Sequence, residues 1–245
     1  MNSEYFVEPG STFVKILRKL PYLNSLVKKW APPDFIYTPH NVSYFDSPVF
    51  KRSYKAAVDA VGFDYRIPWR VHQAIWSAHN GLKIEGDFVE LGTGKGFVMK
   101  AVLHSFDDWN SLDKSIWLYD LFESYYVSGK GEEKHNKYYA QSVDEVKSIF
   151  YDFKRVHFVQ GDVLDTVNKT FPEKISFLHV DLNDADSEQV CIELLWPRVS
   201  KGAIVLLDDY ANRGQEKQYN RMNKIFNRLG CPVLTTPSGQ GVVVK

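Results

Sequence analysis

The sequence predicts an α/β fold: a doubly wound, Rossmann-like sheet of seven strands with an N-terminal helical extension. After residue 85, short apolar runs alternate with segments of helical periodicity. The apolar runs are continuous rather than alternating, as in parallel strands that are buried on both faces. A glycine-rich turn follows the first run, and acidic residues end several of the others. Because ligands of open α/β sheets bind beyond the carboxyl ends of the strands, we expect a functional site at these turns.

Continuous apolar runs bounded by turn residues predict the strands, at residues 87–91, 115–119, 156–160, 175–180, 203–207, 232–235 and 242–244. Apolar residues recur with helical spacing in the segments between several of them, at residues 97–105, 143–153, 187–196 and 216–229. Residues 85–245 are therefore predicted to form the main domain.

The first 84 residues are predicted to form a helical extension or lid that packs on this domain. Residues 13–30 and 54–82 have helical periodicity. Residues 31–48 are punctuated by proline and rich in aromatic residues, which predicts an extended, irregular connection.

The charge balance and the cysteines limit the partners and the compartment. There are 30 basic and 30 acidic residues, so the net charge does not favour a nucleic acid or an anionic membrane as partner. The two cysteines, Cys191 and Cys231, are too few for a disulfide framework and favour a reducing compartment. No secretory signal is visible, and no apolar run approaches the ~20 residues of a membrane helix. We expect a cytoplasmic protein that acts on a small molecule, with homo-oligomerisation left open.

The glycine-rich turn contains Glu90, Gly92, Thr93, Gly94 and Gly96, between a predicted strand and a predicted helix. Its glycines allow a tight turn and let a ligand approach the backbone. The spacing is G-x-G-x-G rather than the G-x-G-x-x-G of a dinucleotide site, and an acid lies two residues before the first glycine. This form suits a ligand with a cationic end and is typical of class I methyltransferases, which bind S-adenosylmethionine. From the loop alone, a nucleotide site and a purely structural turn are the alternatives.

Acids at the ends of the next two strands support the cofactor hypothesis. Asp120 ends the second strand, where a carboxylate can accept hydrogen bonds from both ribose hydroxyls. Asp162 follows the third strand, where it can accept a hydrogen bond from the adenine amino group. Taken singly, each is more simply interpreted as a solvated turn aspartate. Together with Glu90, they place acids at the ends of three successive strands, which favours an S-adenosylmethionine site.

A second group of acids follows the fourth and fifth strands, with Asp181 after the fourth and Asp208 and Asp209 after the fifth. If these strands are neighbours, about 4.8 Å apart, the three carboxylates converge and raise one another's pKa values. A hard divalent cation such as Mg²⁺ or Ca²⁺ resolves this repulsion, because it prefers oxygen ligands. The alternative is that one or two of the acids cap a helix or pair with Arg213 or Lys217.

Five segments, in chain order, resemble the macrocin O-methyltransferase (TylF-type) family: EGDFVELGTGKG, WLYDLFES, FVQGDVLDT, ISFLHVDLN and LLWPRVSKGAIVLLDDY. The resemblance runs from about Val71 to the C-terminal PSGQGVVVK. The glycine loop is generic to class I enzymes, whereas the D-L-N and D-D-Y segments at this separation are more specific. The resemblance implies a magnesium-dependent class I methyltransferase that methylates sugar hydroxyls in macrolide and aminocoumarin biosynthesis.

The resemblance also implies roles for single residues. It makes the metal ligands Asp181, Asp208 and Asp209, and it makes Asp181 the candidate base as well. It also implies that the cofactor is held by Glu90, Gly92, Asp120 and Asp162, with the rest of the glycine loop.

Two features depart from the family. Asn183 stands where the family has a second aspartate, which leaves Asp184 as another candidate base. The segment after the second strand is longer and rich in tyrosine, and with the first 70 residues it is expected to shape the acceptor pocket.

The expected function is S-adenosylmethionine-dependent, Mg²⁺-assisted O-methylation of a sugar or sugar-bearing small molecule, with a vicinal diol as the acceptor group. A metal on two neighbouring hydroxyls would orient the acceptor and lower its pKa. One alternative is a metal-dependent O-methyltransferase of a catechol-like aromatic, whose phenolic oxygens would satisfy the same cation. Another is a binding protein with this fold that has lost catalysis. His179, inside an apolar strand, is predicted to be a core histidine with its hydrogen bonds satisfied.

Overall fold

The structure is a computed structural model that describes residues 34, 36, 38, 40–123 and 139–245. Within this part of the chain, seven strands form one sheet in the order β3-β2-β1-β4-β5-β7-β6. The first five strands are parallel, and β7 is antiparallel to both of its neighbours. The predicted helix at residues 13–30 and most of the tyrosine-rich segment after the second strand lie outside the described residues.

The strands are short, and the carboxyl ends of the five parallel strands β1 to β5 lie at one edge of the sheet. Their bounds are Asp87–Leu91 (β1), Ile116–Asp120 (β2), Val156–Gln160 (β3), Ile175–Val180 (β4), Val199–Leu207 (β5), Leu234–Thr235 (β6) and Gly241–Val244 (β7). The strand prediction therefore agrees with the structure to within a residue or two, except that β5 begins four residues earlier than residue 203.

Helices connect the strands and cover both faces of the sheet. Their bounds are Pro48–Val61 (α1), Pro68–Gly81 (α2), Phe97–Ser105 (α3), Val143–Ile149 (α4), Val163–Thr166 (α5), Ala185–Leu195 (α6) and Glu216–Arg228 (α7). Short 3-10 turns lie at Ser43–Asp46, Trp109–Ser111 and Trp196–Arg198. Residues 54–82, predicted as one helical segment, are divided between α1 and α2. The division falls where Gly62 ends α1 in a left-handed conformation and Pro68 begins α2.

Two apolar clusters, one on each face, make the sheet doubly wound as the sequence predicts. Along β1, Phe88 belongs to the cluster that includes α1 to α4, and Val89 and Leu91 belong to the cluster that includes α5 to α7. Successive side chains of a strand point to opposite faces. Glu90 therefore shares the face of Phe88, which is the face that α2 covers.

Helix α2 is the part of the N-terminal region that bears most directly on the site. It packs on β4, β5 and α3, and α1 packs on α3. The predicted division of the chain at residues 84 and 85 stays a prediction. No helix among the described residues is long and apolar enough to cross a membrane.

Candidate active site

The register of the sheet brings the predicted acids to one place. Glu90 on β1 is aligned with His179 on β4, and Val180 at the end of β4 is aligned with Leu207 at the end of β5. Asp181 and Asp208 follow directly and continue the strand pairing through backbone hydrogen bonds. The carboxyl ends border a cavity of about 600 Å³ that is lined by every predicted site residue except Gly96.

The glycine loop needs its glycines for conformation and for space. Gly92, Gly94 and Gly96 all have positive φ values, of 85°, 54° and 79°. A Cβ on Gly92 would overlap the backbone oxygen of Asp181, and one on Gly96 would overlap the ring of Phe150. Gly96 therefore allows the loop to pack against Phe150, and Gly92 allows the loop to contact the backbone of Asp181 at the end of β4.

Asp120 and Asp162 lie at strand ends as predicted, and both already bond to backbone groups. Asp120 accepts hydrogen bonds from the backbone nitrogens of Gly94, at 2.7 Å, and Phe122, at 2.9 Å. Burial raises the pKa of Asp120 despite these bonds. Asp162 is exposed and caps α5 through a 2.9 Å bond from the nitrogen of Leu164. Its role toward an adenine group stays a prediction.

Asp181, Asp208 and Asp209 form a compact acidic cluster. One oxygen from each lies within 4.8 Å of the others, and no other group of three possible metal-ligating residues occurs in the described chain. Burial and the charge of Asp208 raise the pKa of Asp181 well above its usual value, and the same two causes raise the pKa of Asp209. Burial also acts on Asp208, but Arg70 and His179 hold its pKa below the usual range.

Arg70 on α2 forms ion pairs with two acids of the cluster, and the sequence did not indicate it. Its Nη1 donates to Asp208 and, at 2.9 Å, to Asp209. Neither Arg213 nor Lys217 takes this place, since Arg213 is exposed and Lys217 pairs with Asp186.

Gln240, which directly precedes β7, is a second residue that the sequence did not indicate. It is fully buried, and its Nε2 donates to Oδ1 of Asp208 at 2.7 Å. Its own Oε1 accepts a 3.5 Å hydrogen bond from Ser238, and Gln73 on α2 donates to Ser238 at 2.7 Å. A chain of polar side chains thus runs from α2 through the C-terminal segment to Asp208.

His179 is buried as predicted, but its hydrogen bonds are not all satisfied, because Nε2 has no hydrogen-bond partner among the described residues, and its ring lies between two acids. Its Nδ1 lies 3.0 Å from Oε1 of Glu90, and its Nε2 lies 3.6 Å from Oδ1 of Asp208. Burial alone would lower the pKa of His179, but these two carboxylates raise it to about 10. The imidazolium therefore neutralises part of the charge that Glu90 and Asp208 bring to this face of the sheet.

The two residues beside Asp181 that bear on the choice of base have different roles. Asn183, with φ at 57°, donates from Nδ2 to Oδ1 of Asp181 at 3.2 Å. Asp184 caps α6 and accepts hydrogen bonds from both the backbone nitrogen and the hydroxyl of Ser187, which lower its pKa. A lowered pKa makes Asp184 a weaker proton acceptor, which favours Asp181.

Comparison with known proteins identifies the same family that the sequence resembles. Residues 69–234 match the model of the family described as Macrocin-O-methyltransferase (TylF). The chain is 26% identical over 203 residues to 8-demethyl-8-(2,3-dimethoxy-alpha-L-rhamnosyl)-tetracenomycin-C 4'-O-methyltransferase of Streptomyces olivaceus, covering 70% of this chain and 76% of that protein. It is 29% identical over 148 residues to demethyldecarbamoylnovobiocin O-methyltransferase of Streptomyces niveus, covering 53% of this chain and 55% of that protein.

Among solved structures, the O-methyltransferase NovP resembles this chain with a TM-score of 0.64. The match covers 82% of this chain and 98% of that chain at 19% sequence identity. At this identity the likeness concerns the fold, and it confirms the predicted Rossmann-like class.

Proposed function

Because the chain belongs to the macrocin O-methyltransferase (TylF) family, it is an S-adenosylmethionine-dependent O-methyltransferase, and we propose that it methylates a hydroxyl of a sugar or sugar-bearing small molecule with the help of Mg²⁺. The observation that carries this proposal is the position of the Asp181–Asp208–Asp209 cluster beside the glycine loop, in one cavity. The acceptor group that suits such a cluster best is a vicinal diol.

The residues of the loop and of the neighbouring strand ends provide the cofactor site. Glu90 is 2% exposed and is one of the residues that line the cavity, and its Oε2 has no hydrogen-bond partner among the described residues. A buried carboxylate oxygen without a partner is costly, so a cationic ligand group in the cavity would stabilise it. S-adenosylmethionine supplies such a group and, at its sulfonium, the methyl group to be transferred. Asp120 and Asp162 complete the proposed site along the same edge.

The donor set of the cluster fits a hard divalent cation. Three carboxylates converge, and burial together with the charge of Asp208 raises the pKa values of Asp181 and Asp209. When bound there, Mg²⁺ would neutralise this charge, orient two neighbouring hydroxyl oxygens and lower their pKa. Asp181, Asp208 and Asp209 would hold it, in exchange for the ion pairs that Asp208 and Asp209 make with Arg70.

Asp181 is the proposed base. It borders the cavity, and Asn183 fixes its carboxylate while leaving one oxygen to accept the proton of the acceptor hydroxyl. Methyl transfer is an in-line displacement, so correct orientation of the two reactants contributes more than proton removal does. We therefore assign the residues of the cluster mainly to orientation of the acceptor, with proton transfer as the smaller contribution of Asp181.

The names of the two Streptomyces relatives support a sugar-bearing acceptor. One name specifies a rhamnosyl tetracenomycin, and the other a novobiocin precursor. We also propose that the enzyme works in the cytoplasm, because Cys191 and Cys231 are unpaired, which suits a reducing compartment.

Transfer of a radiolabelled methyl group from S-adenosylmethionine tests the proposal. The acceptors are nucleoside diphosphate sugars, glycosylated natural products and simple catechols, each assayed with MgCl₂ and with EDTA. We expect label in a sugar-bearing acceptor, and its loss with EDTA. Asp208→Asn and Asp209→Asn should reduce transfer by at least ~100-fold. Loss of a residue that only hydrogen-bonds to a metal ligand already costs up to about 100-fold, and a ligand itself should cost at least as much.

Asp165→Asn is the matched control, since Asp165 is exposed on α5 and should leave transfer unchanged. Full transfer by folded Asp208→Asn protein in EDTA would remove the metal from the proposal. Preference for catechols over every sugar acceptor would replace the proposed substrate class with an aromatic one.

A further inference from the structure

Arg70 holds two of the three acids that are proposed to bind Mg²⁺. Its guanidinium donates through one nitrogen, Nη1, to both Asp208 and Asp209. The three side chains are 16%, 7% and 15% exposed, so the contact is largely shielded from water. Charge-assisted hydrogen bonds are stronger than neutral ones, and removal of one partner from such a pair leaves a buried charge uncompensated.

The other partners of Asp208 differ from Arg70 in their position. Gln240 and His179 both approach Oδ1 of Asp208, whereas Arg70 bonds to Oδ2. Oδ1 is therefore held from within the protein core. Arg70 lines the cavity together with both acids; it donates to Oδ2 of Asp208 and to Oδ1 of Asp209, and Nδ2 of Asn212 also donates to Oδ1 of Asp209. A cation that binds these oxygens therefore has to compete with Arg70.

A guanidinium and a divalent cation compete for these oxygens. Both are positive, and at contact distance in a partly buried site their repulsion is only weakly screened. We propose that Arg70 is the resident counter-ion of the Asp208–Asp209 pair and that a divalent cation binds only by displacing its guanidinium. This inference rests on the proposed metal dependence of the enzyme.

Asp34 supplies an acceptor for the displaced side chain. Its Oδ2 accepts a 2.6 Å hydrogen bond from the backbone nitrogen of Trp69, next to Arg70, so the carboxylate lies at the beginning of α2. Its Oδ1 is buried and has no hydrogen-bond partner among the described residues. Arg70 already interacts electrostatically with Asp34. A guanidinium that leaves the cluster thus has an unsatisfied carboxylate oxygen close to its own backbone.

The proposed exchange has two consequences. Without metal, Arg70 keeps the acids from repelling one another, so the site stays formed before the cation arrives. With metal, part of the binding free energy is used to break the ion pairs of Arg70. The measured affinity is therefore lower than the affinity that the three carboxylates would have alone.

Titration calorimetry with MgCl₂, and with MnCl₂ as a second probe, tests the exchange on the full chain. Arg70→Met removes the guanidinium and keeps a side chain of similar length. We expect it to bind both cations at least about ten-fold more tightly than the wild type, because no ion pair has to be broken. Arg213→Met, which removes an exposed arginine in the loop after Asp209, is the matched control and should change affinity by less than about two-fold.

Arginine nitrogen signals of the wild-type protein give a second measurement that does not depend on the stability of the variant. In ¹⁵N spectra the Arg70 signal, identified by its absence from Arg70→Lys protein, should shift on addition of MgCl₂. Equal affinities in wild type and Arg70→Met, or an Arg70 signal that does not move on saturation, would overturn the exchange alone. Absence of cation binding by both proteins would overturn the metal proposal together with it.

Discussion

Nδ1 of His179 lies 3.0 Å from Oε1 of Glu90, and this contact joins the strand that leads into the glycine loop to the strand that leads into Asp181. Both side chains are almost completely buried. Burial of a charged side chain is costly unless a partner of opposite charge lies beside it. The contact therefore ties the proposed cofactor side of the cavity to the acidic side.

Replacement of His179 by phenylalanine is expected to destabilise the protein by about 3–5 kcal/mol, since it leaves Glu90 and Asp208 buried without their shared cation. Urea denaturation measures the free energy of unfolding. His157→Phe is the control, because the exposed His157 ring stacks on Trp117 and phenylalanine keeps that contact; it should change stability by less than about 0.5 kcal/mol. Equal effects of the two substitutions would contradict a neutralising role for His179.

Alanine at Gly92 is expected to abolish cofactor binding or folding, because its Cβ would overlap the backbone oxygen of Asp181. Gly214 is a matched control: its φ of 90° is close to the 85° of Gly92, but nothing lies within 4 Å of its Cβ position. Gly214→Ala should cost only the backbone strain, about 1–2 kcal/mol. Thermal unfolding and S-adenosylhomocysteine titration compare the two. If Gly92→Ala behaves like Gly214→Ala, the loop and the β4 end are not in contact as described.

Gln240→Met should destabilise the protein by about 1.5–3 kcal/mol through loss of a hydrogen bond to a charged group. The exposed Gln160 provides the control Gln160→Met, expected within about 0.5 kcal/mol of the wild type. A double-mutant cycle with Asp208→Asn identifies the partner. If Gln240 acts through Asp208, its substitution costs less in the Asp208→Asn background, and an unchanged cost would assign Gln240 to packing alone.

Stability should respond to pH through Glu188. Burial raises the pKa of Glu188 to about 7, against the hydrogen bonds from Gln218 and the Leu182 nitrogen, which lower it. Between pH 4.5 and 7 the folded state therefore holds a proton that the unfolded state has lost, so this group's contribution to stability falls as pH rises. Glu188→Gln removes that dependence, on the order of 2–3 kcal/mol across the window.

The measurement is the difference in unfolding free energy between wild type and Glu188→Gln at several pH values. Other titrating groups contribute equally to both proteins, so their contributions cancel in this difference. Asp34 is one such group, because burial raises its pKa to about 6. The two proteins should diverge as pH rises to 7, with Glu188→Gln the more stable. A difference that is constant from pH 5 to 8 would mean that Glu188 titrates normally.

The sequence predicts the parts of the site that depend on strand ends. Glu90, Asp120, Asp181 and Asp208 each follow a continuous apolar run, and parallel strands bring such ends to one edge. The alternation of β1 and β4 also places Glu90 on the face of Phe88 and His179 on the face of Phe177. That alternation was the available signal that His179 faces an acid, and interpreting the strand only as uniformly apolar concealed it.

Arg70 and Gln240 were not predictable in the same way. Arg70 reaches the cluster because α2 packs on β4 and β5 with its first turn beside Asp208, and that placement depends on tertiary packing rather than on a local pattern. Gln240 reaches Asp208 because β7 pairs antiparallel with β5, and no local pattern in the sequence specifies that pairing. Residues 54–82 are mostly helical as predicted, but they belong to two helices, and the break between Gly62 and Pro68 was not predicted.

The close approach of Gly92 to the backbone of Asp181 has a consequence for protein engineering. The glycine loop and the end of β4 come from segments about 90 positions apart, yet they touch without a side chain between them. A chimaera of related enzymes that takes one of these segments from each parent would combine two backbone segments that do not fit each other at this contact. Crossover points in such libraries should therefore be chosen so that residues 90–96 and 179–183 are inherited from the same parent.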